Sequence, residues 1–317
     1  MNPVRFYSHG KLMITGEYLA LAGSLVLAIP LRFGQSLSVD ARSSEKGLSI
    51  TWVAMEQNRE WFRDTFRGNE FVPENPSSPI SQNLQRLLQE ARAMNPAFPD
   101  PKGSYHVNTL ADFPLEWGLG SSSTLISNLA WWADLDPFDL LFHTSSGSGY
   151  DIACARSDKP LLYRFNGKEH KPSVRTVDFD PPFLKNLWFV YTGRKQSSAS
   201  SIMGIDPASF DAHTLERISE LTMKMAREED LQHFMRMMTA HETVISRAID
   251  RLPLQAARFP DFQGAIKSLG AWGGDFCLAA SELDENKVRT YFLQKGCPVV
   301  FPFFDMILNN PSANGNN

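Results

Sequence analysis

The sequence lacks the features of several large classes of protein. Its three cysteines, Cys154, Cys277 and Cys297, are odd in number and widely spaced, unlike a disulfide framework or a zinc site. Lysine and arginine total 31 against 35 aspartate and glutamate residues, so there is no surplus of positive charge for a nucleic-acid backbone. We therefore predict buried thiols, a reducing compartment and no nucleic-acid partner.

Long hydrophobic runs are also missing. The most apolar stretch, residues 20–31, is interrupted by Gly23 and Pro30 and is shorter than the ~20 apolar residues that cross a bilayer. The N-terminus has no charged lead into an apolar segment with a small-residue cleavage site. The sequence therefore predicts a cytoplasmic protein without a membrane partner.

What is present has the composition of a globular, enzyme-sized chain. The 317 residues, 43% hydrophobic and 21% charged, are enough for two packed domains. Hydrophobic spacing predicts helices over residues 80–94, 214–227, 231–251 and 284–294, and strands over residues 4–7, 12–21, 24–29, 35–39, 105–110, 161–165, 187–191 and 298–303. The Pro181-Pro182 break predicts domains over residues 1–182 and 183–308, followed by a disordered tail over residues 309–317.

One glycine-rich segment, Gly118-Leu119-Gly120-Ser121-Ser122-Ser123, follows a predicted strand and precedes an apolar run. A glycine turn that opens a helix offers N–H donors and a favourable dipole to a phosphate. The serine hydroxyls can bind phosphate oxygens or Mg²⁺. The P-loop pattern is absent, and an ordinary structural helix cap is the alternative interpretation of this segment.

Two further loops and one lysine complete the candidate site. Three glycines lie close together in Gly270-Ala271-Trp272-Gly273-Gly274-Asp275, and Ser145-Ser146-Gly147-Ser148-Gly149-Tyr150 leads into Asp151. Phosphoryl transfer to an alcohol benefits from a carboxylate near the acceptor proton and from a fixed cation near the transferring group. Asp151 and Lys11 are the candidates for these roles, against the alternatives of a capping aspartate and a solvated lysine.

Taken in order, Gly10-Lys11-Leu12-Met13-Ile14-Thr15-Gly16-Glu17-Tyr18 and the loops at residues 118–123 and 270–275 resemble the three motifs of the GHMP kinases. The resemblance covers nearly the whole chain and keeps the family's order and spacing. It implies an α+β, two-domain GHMP kinase fold, with an N-terminal domain like ribosomal protein S5 domain 2 and a ferredoxin-like C-terminal domain. It also implies ATP and Mg²⁺ as cofactors and a small-molecule acceptor as substrate.

The motif detail is most similar to mevalonate and phosphomevalonate kinases, and the roles of individual residues follow from that resemblance. It implies that Lys11 and Asp151 are the catalytic pair and that Ser122 is a Mg²⁺ ligand. The implied ATP-binding residues are Gly118, Leu119, Gly120, Ser121, Ser122 and Ser123. The implied substrate-binding residues are Glu17, Tyr18, Ser148, Lys195, His241, Gly270, Ala271 and Gly273.

The acceptor predicted from this resemblance is mevalonate or phosphomevalonate, and an anionic acceptor would suit Arg194 and Lys195. Two departures leave other functions open: Trp272 stands where the family usually has glycine, and residues 124–146 contain no glutamate to serve as the family's acidic Mg²⁺ ligand. The alternatives are a kinase for homoserine or a sugar, and a nucleotide-binding regulator without catalysis. The sequence does not distinguish a monomer from a homodimer.

Overall fold

The structure, a computed structural model, describes residues 3–167, 170–193, 206–270, 272 and 274–308. The chain forms two compact units, neither of which is continuous in sequence. The first contains the described residues of Met1–Gly10, Phe33–Leu115 and Leu119–Arg156, and the second those of Lys11–Arg32, Glu116–Gly118 and Ser157–Asn317. The domain boundary at residue 182 stays a prediction.

Strands and helices are mixed along the chain. The strands are β1 (Val4–Thr15), β2 (Val26–Ser43), β3 (Ser49–Glu56), β4 (Arg59–Arg67), β5 (Val72–Pro73), β6 (Gly103–Ala111), β7 (Leu161–Arg164), β8 (Ser173–Thr176), β9 (Leu187–Tyr191), β10 (Ala265–Ser268), β11 (Phe276–Ala280) and β12 (Val300–Pro302). The helices are α1 (Pro79–Met94), α2 (Ser121–Trp132), α3 (Pro137–Thr144), α4 (Tyr150–Ala155), α5 (Ala212–Met225), α6 (Leu231–Ala248), α7 (Leu254–Arg258), α8 (Glu285–Gln294) and α9 (Phe303–Met306). No helix among the described residues is long and apolar enough to cross a membrane.

In the first unit, strands pair in the order β5-β4-β3-β6-β2, with β3 and β6 parallel and the other pairs antiparallel. Buried side chains alternate with less buried ones along β6, as expected for a strand with one face on a core. Helices complete this core. The buried face of α1 contributes Leu84, Leu87, Leu88 and Ala91, which recur at helical spacing. This sheet and its helices carry the loops that contain the serine motif and Asp151.

In the second unit, strands pair antiparallel in the order β10-β11-β9-β12. Their apolar side chains pack with Leu254 of α7 and with Val288 and Phe292 of α8. A separate cluster joins α5 and α6 to Tyr18 and Trp272. The unit also contains residues 26–28 of β2, which pair with β7.

The N-terminal strands are longer and fewer than the sequence predicted. The expected strands over residues 4–7 and 12–21 form one strand that ends at Thr15, and a 3₁₀ helix follows at Leu19–Ala22. The expected strands over residues 24–29 and 35–39 are likewise both part of β2. Gly34 lies within β2, and a Cβ there would lie 2.3 Å from the Ser8 carbonyl oxygen. Its glycine permits close strand approach rather than a turn.

Candidate active site

Residues from three separate segments meet in the second unit. Lys11 is largely buried, and its Nζ donates a hydrogen bond to the carbonyl oxygen of Gly118 at 3.0 Å. Gly118 has φ +66°, and a Cβ built on it would lie 2.1 Å from Oδ2 of the buried Asp275. Any side chain at residue 118 would therefore displace this carboxylate. These contacts join one residue from each of the three glycine-containing motifs.

The glycine loop continues into α2 in the first unit. Gly120, with φ +100°, is the N-cap of this helix, and the Ser123 hydroxyl donates to its carbonyl oxygen at 2.8 Å. Ser122 is exposed, whereas Leu119 is buried. The first N–H groups of a helix lack acceptors within the helix and lie at the positive end of its dipole. The N-terminal turn of α2 can therefore bind an anion.

Buried polar side chains fix α2 in the first unit. Asn128 is fully buried; it accepts a hydrogen bond from the Ser8 hydroxyl at 2.8 Å and donates one to the Gln35 carbonyl oxygen at 2.9 Å. Arg156 donates to the hydroxyl and carbonyl oxygens of Ser127 at 3.0 and 2.9 Å. Because buried polar groups are costly when unpaired, these bonds restrict the position of the helix.

Asp151 lies in the first turn of α4, which packs against α2 in the first unit. Gly149, with φ +89°, precedes this helix. Ser148, the residue before Gly149, is buried. Asp151 is half-buried, and its Oδ1 accepts the backbone N–H of Ile152 at 3.0 Å. Lys11 belongs to the second unit, so the expected pairing of Lys11 with Asp151 stays a prediction.

The Mg²⁺ ligand predicted from the sequence is a serine hydroxyl, that of Ser122. Among the described residues, no cluster of three or more His, Cys, Asp or Glu side chains could hold a metal. Asp134, Asp136 and Asp139 are exposed, and Asp136 is the N-cap of α3. Ser122 is accessible to Mg²⁺, which usually has few protein ligands and completes its shell with phosphate oxygens and water. The donor set therefore fits Mg²⁺ only as the partner of a bound phosphate group.

A buried polar cluster surrounds Glu17 in the second unit. The Lys267 ammonium donates to Oε1 of Glu17 and, at 2.8 Å, to the Ser268 carbonyl oxygen. His241 Nε2 accepts the backbone N–H of Gly16 at 3.0 Å and lies 3.7 Å from Oε2 of Glu17. Both Oε2 of Glu17 and Nδ1 of His241 are buried and have no hydrogen-bond partner within the part of the chain that the structure describes. Glu17 and His241, which the sequence predicted as substrate-binding residues, are thus brought together.

Burial dominates the protonation of this cluster. Burial raises the pKa of Glu17 to about 7, against the opposing effect of the Lys267 ammonium. Burial likewise raises the pKa of Glu242, although this carboxyl accepts hydrogen bonds from Ser268 and Leu254. Burial, with Lys267 adding to it, lowers the pKa of His241 well below its usual value. The cluster thus holds one lysine, two carboxyl groups with raised pKa values and a neutral histidine.

Tyr18 and Trp272 connect the first motif to the third. The Trp272 backbone N–H donates to the Tyr18 hydroxyl at 2.7 Å, and its indole N–H donates to the Leu252 carbonyl oxygen at 3.0 Å. Both side chains lie in the apolar cluster with Ile218 and Ile245. The indole is only 7% exposed. Trp272, unusual at its motif position, is thus packed into the second unit and its amide is hydrogen-bonded.

The predicted substrate-binding set and the observed buried cluster overlap only in part. Lys195, Ala271 and Gly273 lie outside the described residues, whereas Gly270 has φ +66°. Lys267 and Glu242 of the buried cluster were not predicted as site residues. The available signal was a lysine within the apolar strand over residues 265–268, directly ahead of a glycine loop. Glu242 gave no such signal, because it lies on an amphipathic helix beside His241.

The structure is similar to solved kinase structures over almost its full length. It matches Streptococcus pneumoniae phosphomevalonate kinase in complex with phosphomevalonate and AMPPNP with a TM-score of 0.70 and 16% identity, over 94% of this chain and 99% of that one. It matches Methanococcus jannaschii mevalonate kinase with a TM-score of 0.66 and 15% identity, over 95% and 97% of the two chains.

A sugar kinase has the same architecture. Lactococcus lactis galactokinase complexed with galactose matches with a TM-score of 0.60 and 12% identity, over 95% of this chain and 92% of that one. No protein-family model and no curated protein matches the sequence. At these identities the similarity concerns the fold and leaves the acceptor open.

Proposed function

Since the chain has the two-domain α+β fold of the GHMP kinases, as the sequence predicted, we propose that it transfers the γ-phosphate of ATP to mevalonate or phosphomevalonate. The observation that carries this proposal is the junction in the second unit, where Lys11 contacts Gly118 and Gly118 contacts Asp275. The Lys11 ammonium suits an anionic ligand, and the buried thiols suit a cytoplasmic location.

ATP is proposed to bind along residues 118–123. The backbone N–H groups at the start of α2 are donors for phosphate oxygens, and the positive end of the helix dipole favours their charge. Ser122 would hold Mg²⁺ together with phosphate oxygens, and the bound ion would neutralise charge on the transferring group. The missing Cβ of Gly118 leaves Asp275 undisturbed next to this loop.

Lys11 and Asp151 are the proposed catalytic residues. The Lys11 ammonium is fixed by the Gly118 carbonyl and supplies positive charge for the phosphoryl group in transfer. Asp151 accepts or orients the proton of the acceptor hydroxyl when the acceptor is mevalonate. A phosphate acceptor scarcely needs a general base, so with phosphomevalonate Asp151 acts by orientation and by pairing with Lys11.

The acceptor is proposed to bind beside the remaining residues that the sequence singled out. These are Glu17, Tyr18, Ser148, Lys195, His241, Gly270, Ala271 and Gly273. Both isoprenoid acceptors are anions, which favours a site with Lys195 and the nearby Arg194. Phosphomevalonate is the preferred acceptor, because the motifs resemble those of phosphomevalonate kinases slightly more than those of mevalonate kinases.

The proposal is tested by incubating the protein with Mg-ATP and each acceptor in parallel, with phosphorylated product measured by mass spectrometry. Asp151→Asn should lower kcat with mevalonate by about 10²–10⁴-fold, the usual contribution of a general base, and should lower it less with phosphomevalonate. Asp139→Asn is the matched control, because Asp139 lies in the first turn of α3 and is exposed. Absence of product from both acceptors would contradict the proposal.

Two other functions use the same fold. A kinase for a sugar is favoured by the galactokinase match, and homoserine is a further acceptor to test; product from either alone would replace the isoprenoid assignment. A nucleotide-binding regulator is favoured by Trp272, whose backbone N–H is hydrogen-bonded to Tyr18. Thermal stabilisation by Mg-ATP without product from any acceptor would identify the regulator.

A further inference from the structure

The turn at residues 16–18 has a backbone conformation that needs support from its surroundings. Gly16 has φ +88°, and Tyr18 has φ +64° and ψ −40°. A tyrosine with positive φ is strained, and such conformations persist only where neighbouring groups hold them. Contacts with the rest of the unit must therefore fix this turn.

Each residue of the turn has one partner from a distant part of the second unit. The Gly16 backbone N–H donates to Nε2 of His241 on α6. The Glu17 carboxylate accepts from the Lys267 ammonium on β10, and the Tyr18 hydroxyl accepts from the backbone N–H of Trp272. Two of these three partners lie in one short segment, residues 267–272.

Holding such a turn with Lys267 requires the desolvation of a charged side chain. Its side chain is 1% exposed and that of Glu17 is 2% exposed, so both charges have left water. A buried ion pair often gives no more stability than apolar side chains of the same size, whereas its directional contacts restrict the arrangements that are allowed. The pair is thus better explained by the geometry that it enforces than by stability.

The second buried carboxyl does not depend on Lys267 for its hydrogen bonds. Glu242 accepts from the backbone N–H groups of Leu254 and Ser268 and from the Ser268 hydroxyl. Among the described residues, Lys267 is the one side-chain donor to Glu17, and Oε2 of Glu17 has no hydrogen-bond partner. The Lys267 ammonium also donates to the Ser268 carbonyl oxygen, and this bond fixes the ammonium on its own strand. Removal of the ammonium would therefore free the Glu17 side chain and remove one of the three distant contacts that hold the turn.

We propose that Lys267 is a positioning residue, which holds the turn at residues 16–18 and the segment carrying Trp272 in one fixed arrangement. The turn contains Glu17 and Tyr18, and the segment over residues 267–272 contains Gly270. All three residues were expected on the acceptor side. The consequence for the acceptor rests on the kinase function proposed above. Glu17 then acts on the substrate site mainly through the turn that it anchors.

Hydrogen exchange at Trp272 tests the proposal without any substrate. The full-length protein is labelled with ¹⁵N-tryptophan, and the Trp272 signals among the seven tryptophans are assigned with Trp272→Phe. The backbone N–H reports the bond to Tyr18, and the indole N–H, bonded to Leu252, reports side-chain packing in the same residue. The variants are Lys267→Met, the double variant Glu17→Gln/Lys267→Met, and the control Lys287→Met, which breaks an exposed pair with Asp284.

The double variant separates positioning from simple charge compensation, because it leaves no unpaired charge at either position. We expect the Trp272 backbone N–H to exchange at least about tenfold faster in both Lys267 variants, with the indole N–H and the control protein changed by less than about twofold. Backbone exchange at the wild-type rate in the double variant would overturn the proposal, since Lys267 would then only neutralise Glu17. If Lys267→Met does not fold, the double variant decides alone.

Kinetics test the consequence for the acceptor. In the double variant, KM for the accepted substrate should rise about tenfold, whereas KM for ATP should change by less than about twofold. Unchanged KM for the acceptor would overturn the consequence for the substrate site. Absence of product from the wild-type protein would instead contradict the kinase function, and the exchange rates would still decide whether Lys267 positions the turn.

Discussion

At the scale of single residues, Gly118 combines two constraints that can be measured separately. Its φ of +66° is strained for alanine, and a Cβ would collide with the Asp275 carboxylate. We predict that Gly118→Ala lowers the free energy of unfolding by about 2–4 kcal/mol, of which the positive φ accounts for about 1–2 kcal/mol. Calorimetric titration should show Mg-ATP binding weakened by about tenfold or more, because the displaced Asp275 disturbs the loop.

Gly68 is the matched control for this substitution. It has φ +67°, and a Cβ there would have no atom of the described residues within 4 Å. Gly68→Ala should lower the free energy of unfolding by only about 1–2 kcal/mol and leave ATP affinity unchanged. Equal losses of stability in the two variants, with equal ATP affinity, would contradict the close contact between residues 118 and 275.

Glu17 should make stability depend on pH. Its pKa is about 7 in the folded protein and 4.5 in an unfolded chain, so between these values the folded protein retains a proton that the unfolded chain has released. The Glu17 contribution to stability is therefore full below pH 4.5 and is lost as the pH rises through about 7. The lowered pKa of His241 acts in the opposite direction below its usual value, so the variant must be compared with the wild type.

We predict that, as the pH rises from 5 to 8, the free energy of unfolding of Glu17→Gln increases by about 2–3 kcal/mol relative to that of the wild type. Urea unfolding at each pH measures this difference. Glu216→Gln, at an exposed position on α5, should track the wild type at every pH. If the free energies of unfolding of Glu17→Gln and the wild type differ by the same amount at every pH in this range, the Glu17 carboxyl does not titrate there.

The sequence predicted some of these residues and missed others for a physical reason. Lys11 and Gly118 stand in motifs with their own local chemistry, so each could be noticed alone. Lys267 acquires its importance only when β10 brings it to Glu17, 250 residues away along the chain. Such a contact has no local pattern, and a single lysine in an apolar strand gives only a weak indication of it.

At the scale of elements, the position of α2 depends on polar groups buried beneath it. Asn128→Leu keeps the size of the side chain but leaves the Gln35 carbonyl oxygen without its amide donor. We predict a loss of about 2–4 kcal/mol in free energy of unfolding, and ATP binding about fivefold weaker because the helix start shifts. Asn286→Leu, at an exposed position on α8, should change both quantities little. Unaltered stability in Asn128→Leu would show that these bonds do not hold the helix.

Predictions of elements succeeded where the hydrophobic period was clear. The helix expected over residues 80–94 is α1, and the strand expected over residues 187–191 is β9. The antiparallel pair β3 and β4 was not predicted, although its alternating aromatic and β-branched residues were a usable signal. Its connection at Gln57, with φ +52°, contains neither glycine nor proline, so the usual mark of a hairpin is missing.

At the scale of the whole molecule, the order of the motifs predicted the fold, but the composition of the compact units could not be predicted. Each unit is assembled from separated segments, because β1 and β2 both pass from one unit to the other. The boundary predicted at residues 181–182 comes from one break in composition, and it stays a prediction. Long-range strand pairing decides which segments form each unit, and such pairing cannot be seen in a local stretch of sequence.

Nucleotide binding should stabilise the whole molecule. A ligand that binds only the folded state at 100 times its Kd adds about 2.7 kcal/mol to the free energy of unfolding. We therefore predict that saturating Mg-ATP raises Tm by about 5 °C in a thermal-shift assay, and that Gly118→Ala loses most of this shift at the same concentration. No change of Tm with millimolar Mg-ATP would contradict a nucleotide site.

The central claim is that the glycine segments form one phosphate site at which Lys11 and Asp151 meet. A crystal structure with Mg²⁺, AMPPNP and mevalonate measures this directly. The account predicts the γ-phosphate at the start of α2, with Lys11 Nζ and the Asp151 carboxylate each within about 4 Å of the reacting groups. A nucleotide bound elsewhere, or Lys11 and Asp151 separated on opposite sides of the bound ligands, would contradict it.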